Sequence, residues 1–204
     1  MADKLLEGFK RFREETYEGH ASLMRRLARE GQSPEYFIIS CIDSRSNPGT
    51  IFRPDPGTFL AHKAMGAIVR PYKKGTALAA ALQFALTRND VREIIILGHT
   101  GCGAIKALVE NDGDEEIASF MDVAKAGLEK ARQAGAVDDE ACLYRATEEY
   151  IVLQSAENLK TYPSVSKALS ENRIVIKPWL FDMESGNLLE YSAAQGRFAS
   201  ITDR

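Results

Sequence analysis

The segment VREIIILGHTGCGAIKALVE constrains the fold more than any other part of the chain. An apolar run from Ile94 to Leu97 meets a glycine-punctuated turn and passes straight into a helical pattern, the layout of a βα unit. The same alternation recurs along the sequence. EYFIISCID reads as a first strand, and TFLAHKAMGAIV supplies a second apolar segment beyond the breakers of RSNPGTIFRPDPG. TALAAALQFALTRN, DEEIASFMDVAKAGLEKARQ and DDEACLYRATEEYIVLQSAENLKTY each read as a helix, and Pro163 marks a break before a shorter one. RIVIKPWLFDMESGNLLEYS gives strand, turn and strand, with SGN as the connection. Strands alternating with helices predict an α/β fold: a central, mostly parallel β-sheet covered by helices on both faces, with an antiparallel edge strand near the C-terminus. Leu5, Phe9 and Phe12, then Leu23 and Leu27, fall at helical spacing broken near Gly19, which predicts two N-terminal helices. The expected organisation is a single domain over residues 1–204, with a helical arm at 1–31 and an α/β core at 35–204.

The bulk properties exclude several classes of function. Lys and Arg number 26 against 29 Asp and Glu, a net charge of −3 with no basic block, so nucleic acid is not an expected partner. The longest apolar runs fall far short of a membrane span, and MADKLLEGFKRFREE lacks the apolar centre of a signal peptide, so a cytoplasmic protein is expected. Three cysteines, Cys41, Cys102 and Cys142, argue for reduced thiols used in chemistry or packing rather than a disulfide framework.

Chemistry concentrates at two strand ends. In SCIDSR the thiol of Cys41, the carboxylate of Asp43 and the guanidinium of Arg45 alternate, so on an extended chain all three face one side. In HTGC, His99 and Cys102 form an H-x-x-C pair in the turn before a helix, where Gly98, Gly101 and Gly103 permit unusual backbone angles. Taken alone, each stretch is also what a packed cysteine, a buried histidine or a surface ion pair would give. If the two strands are neighbours, however, their loops meet at one crevice, at the carboxyl ends of the strands where open α/β sheets bind ligands. Cys41, His99 and Cys102 then form a two-Cys, one-His set that suits zinc and leaves a fourth tetrahedral position open.

The pattern C-x-D-x-R followed by H-x-x-C, as CIDSR and ILGHTGCGAIKAL, resembles the β-class carbonic anhydrases. The late stretch QSAENLKTYPSVSKALSENRIVIKPWLFDMESGNLLEY is similar to the last helices and strands of that family, so the resemblance covers nearly the whole chain. It implies zinc-dependent, reversible hydration of CO2 to bicarbonate and a proton by a zinc-bound hydroxide, with Cys41, His99 and Cys102 as zinc ligands. Asp43 and Arg45 are implied as the catalytic dyad: Asp43 orients the nucleophile and Arg45 holds Asp43 off the metal. In a closed, inactive form Asp43 becomes the fourth metal ligand. The resemblance also implies a homodimer or a dimer of dimers, with the N-terminal arms wrapped across the partner. Two other readings keep the metal: a hydrolase of COS or CS2, and a zinc-binding paralogue without rapid turnover.

Several positions depart from the family pattern. Lys63 and Ala64 stand where Arg and Asn are usual, and Gly66 and Ala67 where Ala and Asn are usual. Arg53 and Asp55 occupy the segment where many members carry a glutamine, and Ile38 replaces the tryptophan of a second bicarbonate site, for which the sequence gives no support. Of the three histidines, His62 is the nearest candidate by chain position for proton transfer, although a half-buried strand or interface histidine is the more ordinary reading. Cys142 is expected to pack within its helix, and Trp179 to lie in the core or an interface.

Overall fold

In the computed structural model, which describes residues 3–112, 114–135 and 139–201, the apolar run before Cys41 forms β1 (Tyr36–Cys41), buried from Phe37 onward. Burial on both faces explains why it reads as a continuous apolar stretch rather than an alternating one. Each Ile or Phe taken out of water here contributes roughly 1.5–3 kcal/mol. β2 (Phe59–Ala64) lies on one side of β1 and β3 (Glu93–His99) on the other, both parallel to it. Chain order therefore reverses direction across β1, and the crevice expected at such a switch point opens at the carboxyl ends of β1 and β3. β4 (Val175–Phe181) continues the parallel set beside β3.

Two antiparallel strands follow, β5 (Leu188–Ser192) and β6 (Arg197–Ser200), giving the six-stranded order β2-β1-β3-β4-β5-β6. The sequence leads one to expect a single antiparallel strand. β6 is only four residues long and half-buried at the sheet edge, so it carries no strong apolar signal. The β4–β5 turn is built by Asp182, whose Oδ1 accepts from the backbone N–H groups of Glu184 and Ser185 at 3.0 and 3.2 Å.

One face of the sheet packs under α4 (Ala77–Arg88), α8 (Glu140–Leu159) and α9 (Pro163–Ser170), with Phe37, Ile39, Ile94 and Ile96 meeting Leu82, Val152, Leu159 and Val165. Thr76 starts α4 by accepting from the Ala79 N–H, and Pro163 starts α9. On the other face Ile38, Ile95 and Leu97 gather Trp179, Phe181 and the short α3 (Pro48–Phe52), which is hidden from pattern reading among proline and glycine breakers.

α5 (Gly103–Glu110) follows β3 directly. The segment read as one helix divides into α6 (Glu115–Met121), a 3-10 turn at Asp122–Ala124 and α7 (Lys125–Gln133); the turn tucks Met121 and Ala124 into the cluster that holds Cys41 and Cys102. The N-terminal arm also differs from expectation. α1 (Asp3–Arg11) and α2 (Glu18–Glu30) are joined without a break at Gly19, through a π-helical segment at Phe12–Tyr17. No residue of α1 is buried, whereas Ala21 of α2 is, and Leu27 lies against Gly57.

Candidate metal centre

β1 ends at Cys41, β3 ends at His99, and Cys102 is the N-cap of α5, so three separate local signals deliver three ligand atoms to one crevice. All three residues are buried, and their ligand atoms lie within 4.8 Å of one another. Of the three glycines near the turn, only Gly101 has a positive φ (65°). Gly98 serves a different purpose: a Cβ there would overlap Val152 of α8, so glycine lets that helix approach the strand.

The local chemistry prepares this trio to bind a cation. His99 Nδ1 lies 3.0 Å from the Thr100 carbonyl oxygen, which assigns the proton to Nδ1 and leaves Nε2 as the acceptor. Nε2 is buried and has no hydrogen-bond partner, an orphaned lone pair beside the two sulfurs. Cys41 Sγ accepts from the backbone N–H groups of Asp43 (3.4 Å) and Gly66 (3.3 Å). The Cys41 thiol is pulled down to about 4, first because the Cys102 thiol donates to it and further by His99 and the Asp43 amide, against the opposing effect of burial. Cys102, as the donor, is pushed up. Two sulfurs and one imidazole nitrogen thus converge at a distance that could hold a metal ion.

Asp43 stands at the mouth of the crevice with Oδ2 4.0 Å from His99 Nε2. Arg45 grips it in a two-pronged pair, Nε to Oδ1 at 3.1 Å and Nη2 to Oδ2 at 2.8 Å, and the Arg45 backbone N–H adds a third bond to Oδ1 at 2.8 Å. These contacts, the guanidinium hydrogen bond first, hold the Asp43 carboxyl down at about 2. Arg45 Nη2 also reaches the Gly101 carbonyl at 3.3 Å, tying the two motif loops together.

A family model described as "Carbonic anhydrase" matches residues 36–188. The chain belongs to this family, in its β class. It is 29% identical over 203 residues to a carbonic anhydrase of Pseudomonas aeruginosa, covering 98% of this chain and 91% of that relative. A carbonic anhydrase of Synechocystis is also 29% identical, over 98% of this chain and 75% of its own length. Among solved structures, the β-carbonic anhydrase CcaA superposes with a TM-score of 0.90 at 26% identity, covering 97% of this chain and 98% of its own. A β-carbonic anhydrase of Sordaria macrospora, described as tetrameric, shares the fold with a TM-score of 0.83 at 23% identity, over 94% of this chain and 96% of that one.

All five sequence-predicted site residues, Cys41, Asp43, Arg45, His99 and Cys102, meet in this crevice. His62 lies on β2 opposite Ile39, half-buried, and Cys142 is exposed with its thiol donating to Asp139 Oδ2 at 3.2 Å rather than packed. Two of the positions that depart from the family pattern, Lys63 and Gly66, make contacts with Cys41. Lys63 Nζ donates to the Cys41 carbonyl at 2.7 Å, and the Gly66 amide serves the Cys41 sulfur from a turn in which Gly66 and Ala67 both have positive φ. One close neighbour of the ligands escaped sequence reasoning. Glu148 of α8 is buried beneath the turn, and its Oε1 accepts from the Cys102 N–H at 3.1 Å. Its signal was available: Glu148 falls on the stripe of Ile151, Val152, Ser155 and Leu159, the buried face of α8.

Proposed function

We propose that this β-class enzyme hydrates CO2 reversibly to bicarbonate and a proton, using zinc held by Cys41, His99 and Cys102, with Asp43 and Arg45 as its catalytic pair. The observation that carries the reading is the orphaned, buried Nε2 of His99 converging with two cysteine sulfurs beside an ionised Asp43. Two sulfurs and one imidazole suit zinc, and three protein donors leave one coordination position open. Zinc bound there would supply a Lewis acid that brings the pKa of a water ligand down to about 7.

The side chains do the remaining work. Asp43, acceptor-only while ionised, orients the attacking water through a hydrogen bond and turns its lone pair toward CO2. Arg45 keeps that carboxylate ionised and pointing along one direction; if its grip loosened, Asp43 would be free to reach the metal and close the site. The Asp43 and Gly66 amides stabilise negative charge on Cys41, and the Thr100 carbonyl fixes the His99 tautomer.

The same proposal includes a homodimer, or a dimer of dimers, in a cytoplasmic setting that keeps the thiols reduced, with residues 1–31 as an arm serving the partner and 35–204 as the core. Leu5 and Phe9 on α1 are 80% and 58% exposed, and Leu6 and Phe12 extend the same apolar surface, which needs a cover. No described helix is long and apolar enough to cross a membrane.

Metal analysis of the purified chain should find one zinc, and Cys102→Ser should lose most of it; full retention in that variant would remove the site. Stopped-flow mixing with CO2 should then show rapid hydration by the zinc form. Turnover of COS but not of CO2 would reassign the substrate.

A further inference from the structure

One peptide unit beside the ligands, the bond between Gly101 and Cys102, is held at both ends. Its carbonyl accepts from Arg45 Nη2 at 3.3 Å, and its N–H donates to Glu148 Oε1 at 3.1 Å. A guanidinium from the β1 loop and a carboxylate from α8 therefore hold opposite ends of a single planar group. The Cα of Cys102 is attached to that plane, so its tilt aims the sulfur.

Glu148 is costly where it stands. It is 3% exposed, and burying a carboxylate without a cation opposes folding. Arg145, three residues earlier, places its guanidinium on Glu149 (2.8 Å) and Asp182 (3.5 Å) instead. A packed apolar residue would suit the fold better at this position. The carboxylate therefore has a purpose that packing does not explain, and it accepts from the backbone of a proposed metal ligand.

We propose that Glu148 is a positioning residue of the metal centre: with Arg45 it clamps the Gly101–Cys102 peptide plane and so fixes the direction in which the Cys102 sulfur meets the metal. The clamp also gives Arg45 a fixed anchor outside the Asp43 pair, so that Glu148, through the shared peptide, steadies the group that steers Asp43. This rests on the zinc reading given above. A helix remote in sequence thereby sets the orientation of a ligand that the H-x-x-C motif only names.

The test uses the full chain loaded with zinc or cobalt. Glu148→Met keeps the volume but removes the acceptor, whereas Glu148→Gln keeps an acceptor oxygen and removes the charge. Loss of a hydrogen bond behind a metal ligand costs on the order of 10–100-fold in metal affinity, and zinc release to a chelator should accelerate by a similar factor in Glu148→Met. Glu148→Gln should stay near the native rate. The cobalt form of Glu148→Met should show altered ligand-field and sulfur charge-transfer bands, with those of Glu148→Gln unchanged. Thermal melting of the metal-free chains reports any folding defect separately, since Glu148→Met removes a buried carboxyl but leaves the Cys102 N–H without its acceptor. Native release and native cobalt bands in Glu148→Met would overturn the clamp, and so would release from Glu148→Gln as fast as from Glu148→Met. Should Glu148→Met fail to fold, Glu148→Leu takes its place as the variant without an acceptor: accelerated release and altered bands support the clamp, and native release refutes it. A native chain that bound no metal would overturn the zinc reading and the clamp together, whereas normal native binding with an indifferent Glu148→Met would sink the clamp only.

Discussion

Replacing Gly98 by alanine adds one methyl group at the tightest contact between β3 and α8. The new Cβ would overlap Val152 Cγ2 and stand 3.2 Å from Leu180 Cδ1 and 3.7 Å from the Trp179 carbonyl. The sheet cannot retreat, because Gly98 is paired with Leu180 in the parallel ladder, so α8 must shift or Val152 must leave its rotamer. Overpacking of this kind costs about 1–3 kcal/mol. Val152→Ala alone removes two buried methyl groups, about 1.6 kcal/mol of transfer energy plus a term for the space left behind. The double variant puts the methyl group added by Gly98→Ala into that space, so its cost should fall short of the sum of the two single changes by roughly 1–2 kcal/mol. Urea unfolding of the three variants beside the native chain measures this directly, through midpoints at constant slope. Strict additivity, or a neutral Gly98→Ala, would refute the claim that glycine is needed here to admit α8.

Other outcomes follow from the site and the surface. Arg45→Ala releases Asp43 from its two-pronged grip, and stopped-flow CO2 hydration should fall on the order of 10²-fold, as misplacement of a positioned group does; unchanged turnover would remove Arg45 from the machinery. Burial holds His62 below its ordinary value of 6.5, so the unfolded chain binds that proton more readily and stability rises with pH. Its contribution is complete above about 6.5 and is lost as pH falls through the lower folded value, so His62→Gln should flatten the urea midpoint between pH 7 and pH 5. Leu5→Asp combined with Phe9→Asp should shift sedimentation at micromolar concentration from the proposed dimer to monomer, and an oligomer unchanged by the substitutions would show that α1 is not the contact.

The residues of the candidate metal site were legible because each signal is local. Cys41, Asp43 and Arg45 alternate at a strand end, and His99 and Cys102 flank one turn; adjacency of β1 and β3 was a condition in the sequence, and the sheet meets it. What was hidden depends on contacts between distant segments. Nothing near Gly66 announces that its amide will meet a sulfur 25 residues earlier in the chain, and Lys63 shows its use only when β2 lies beside β1. Glu148 was visible as a charge on an apolar stripe, but its partner on another element was not. Cys142 reads as a packed residue by its neighbours, yet the first turn of α8 is exposed and leaves it in solvent. β6 and α3 are too short for any periodicity to register.

The π-helical segment at Phe12–Tyr17 sets the sense of the arm. In an uninterrupted α-helix, at about 100° per residue, Leu5, Phe9 and Phe12 would fall on one line with Leu23 and Leu27. A π-helical turn takes up one surplus residue, which rotates the first group by about 100° relative to the second. Leu27 can therefore face Gly57 of its own core while Leu5 and Phe9 look elsewhere. Deleting one residue there, Thr16 for instance, would restore a plain α-helix and keep both directions. Forcing the segment straight at full length would bring the two stripes into line, and the arm would have one face to offer where it now has two.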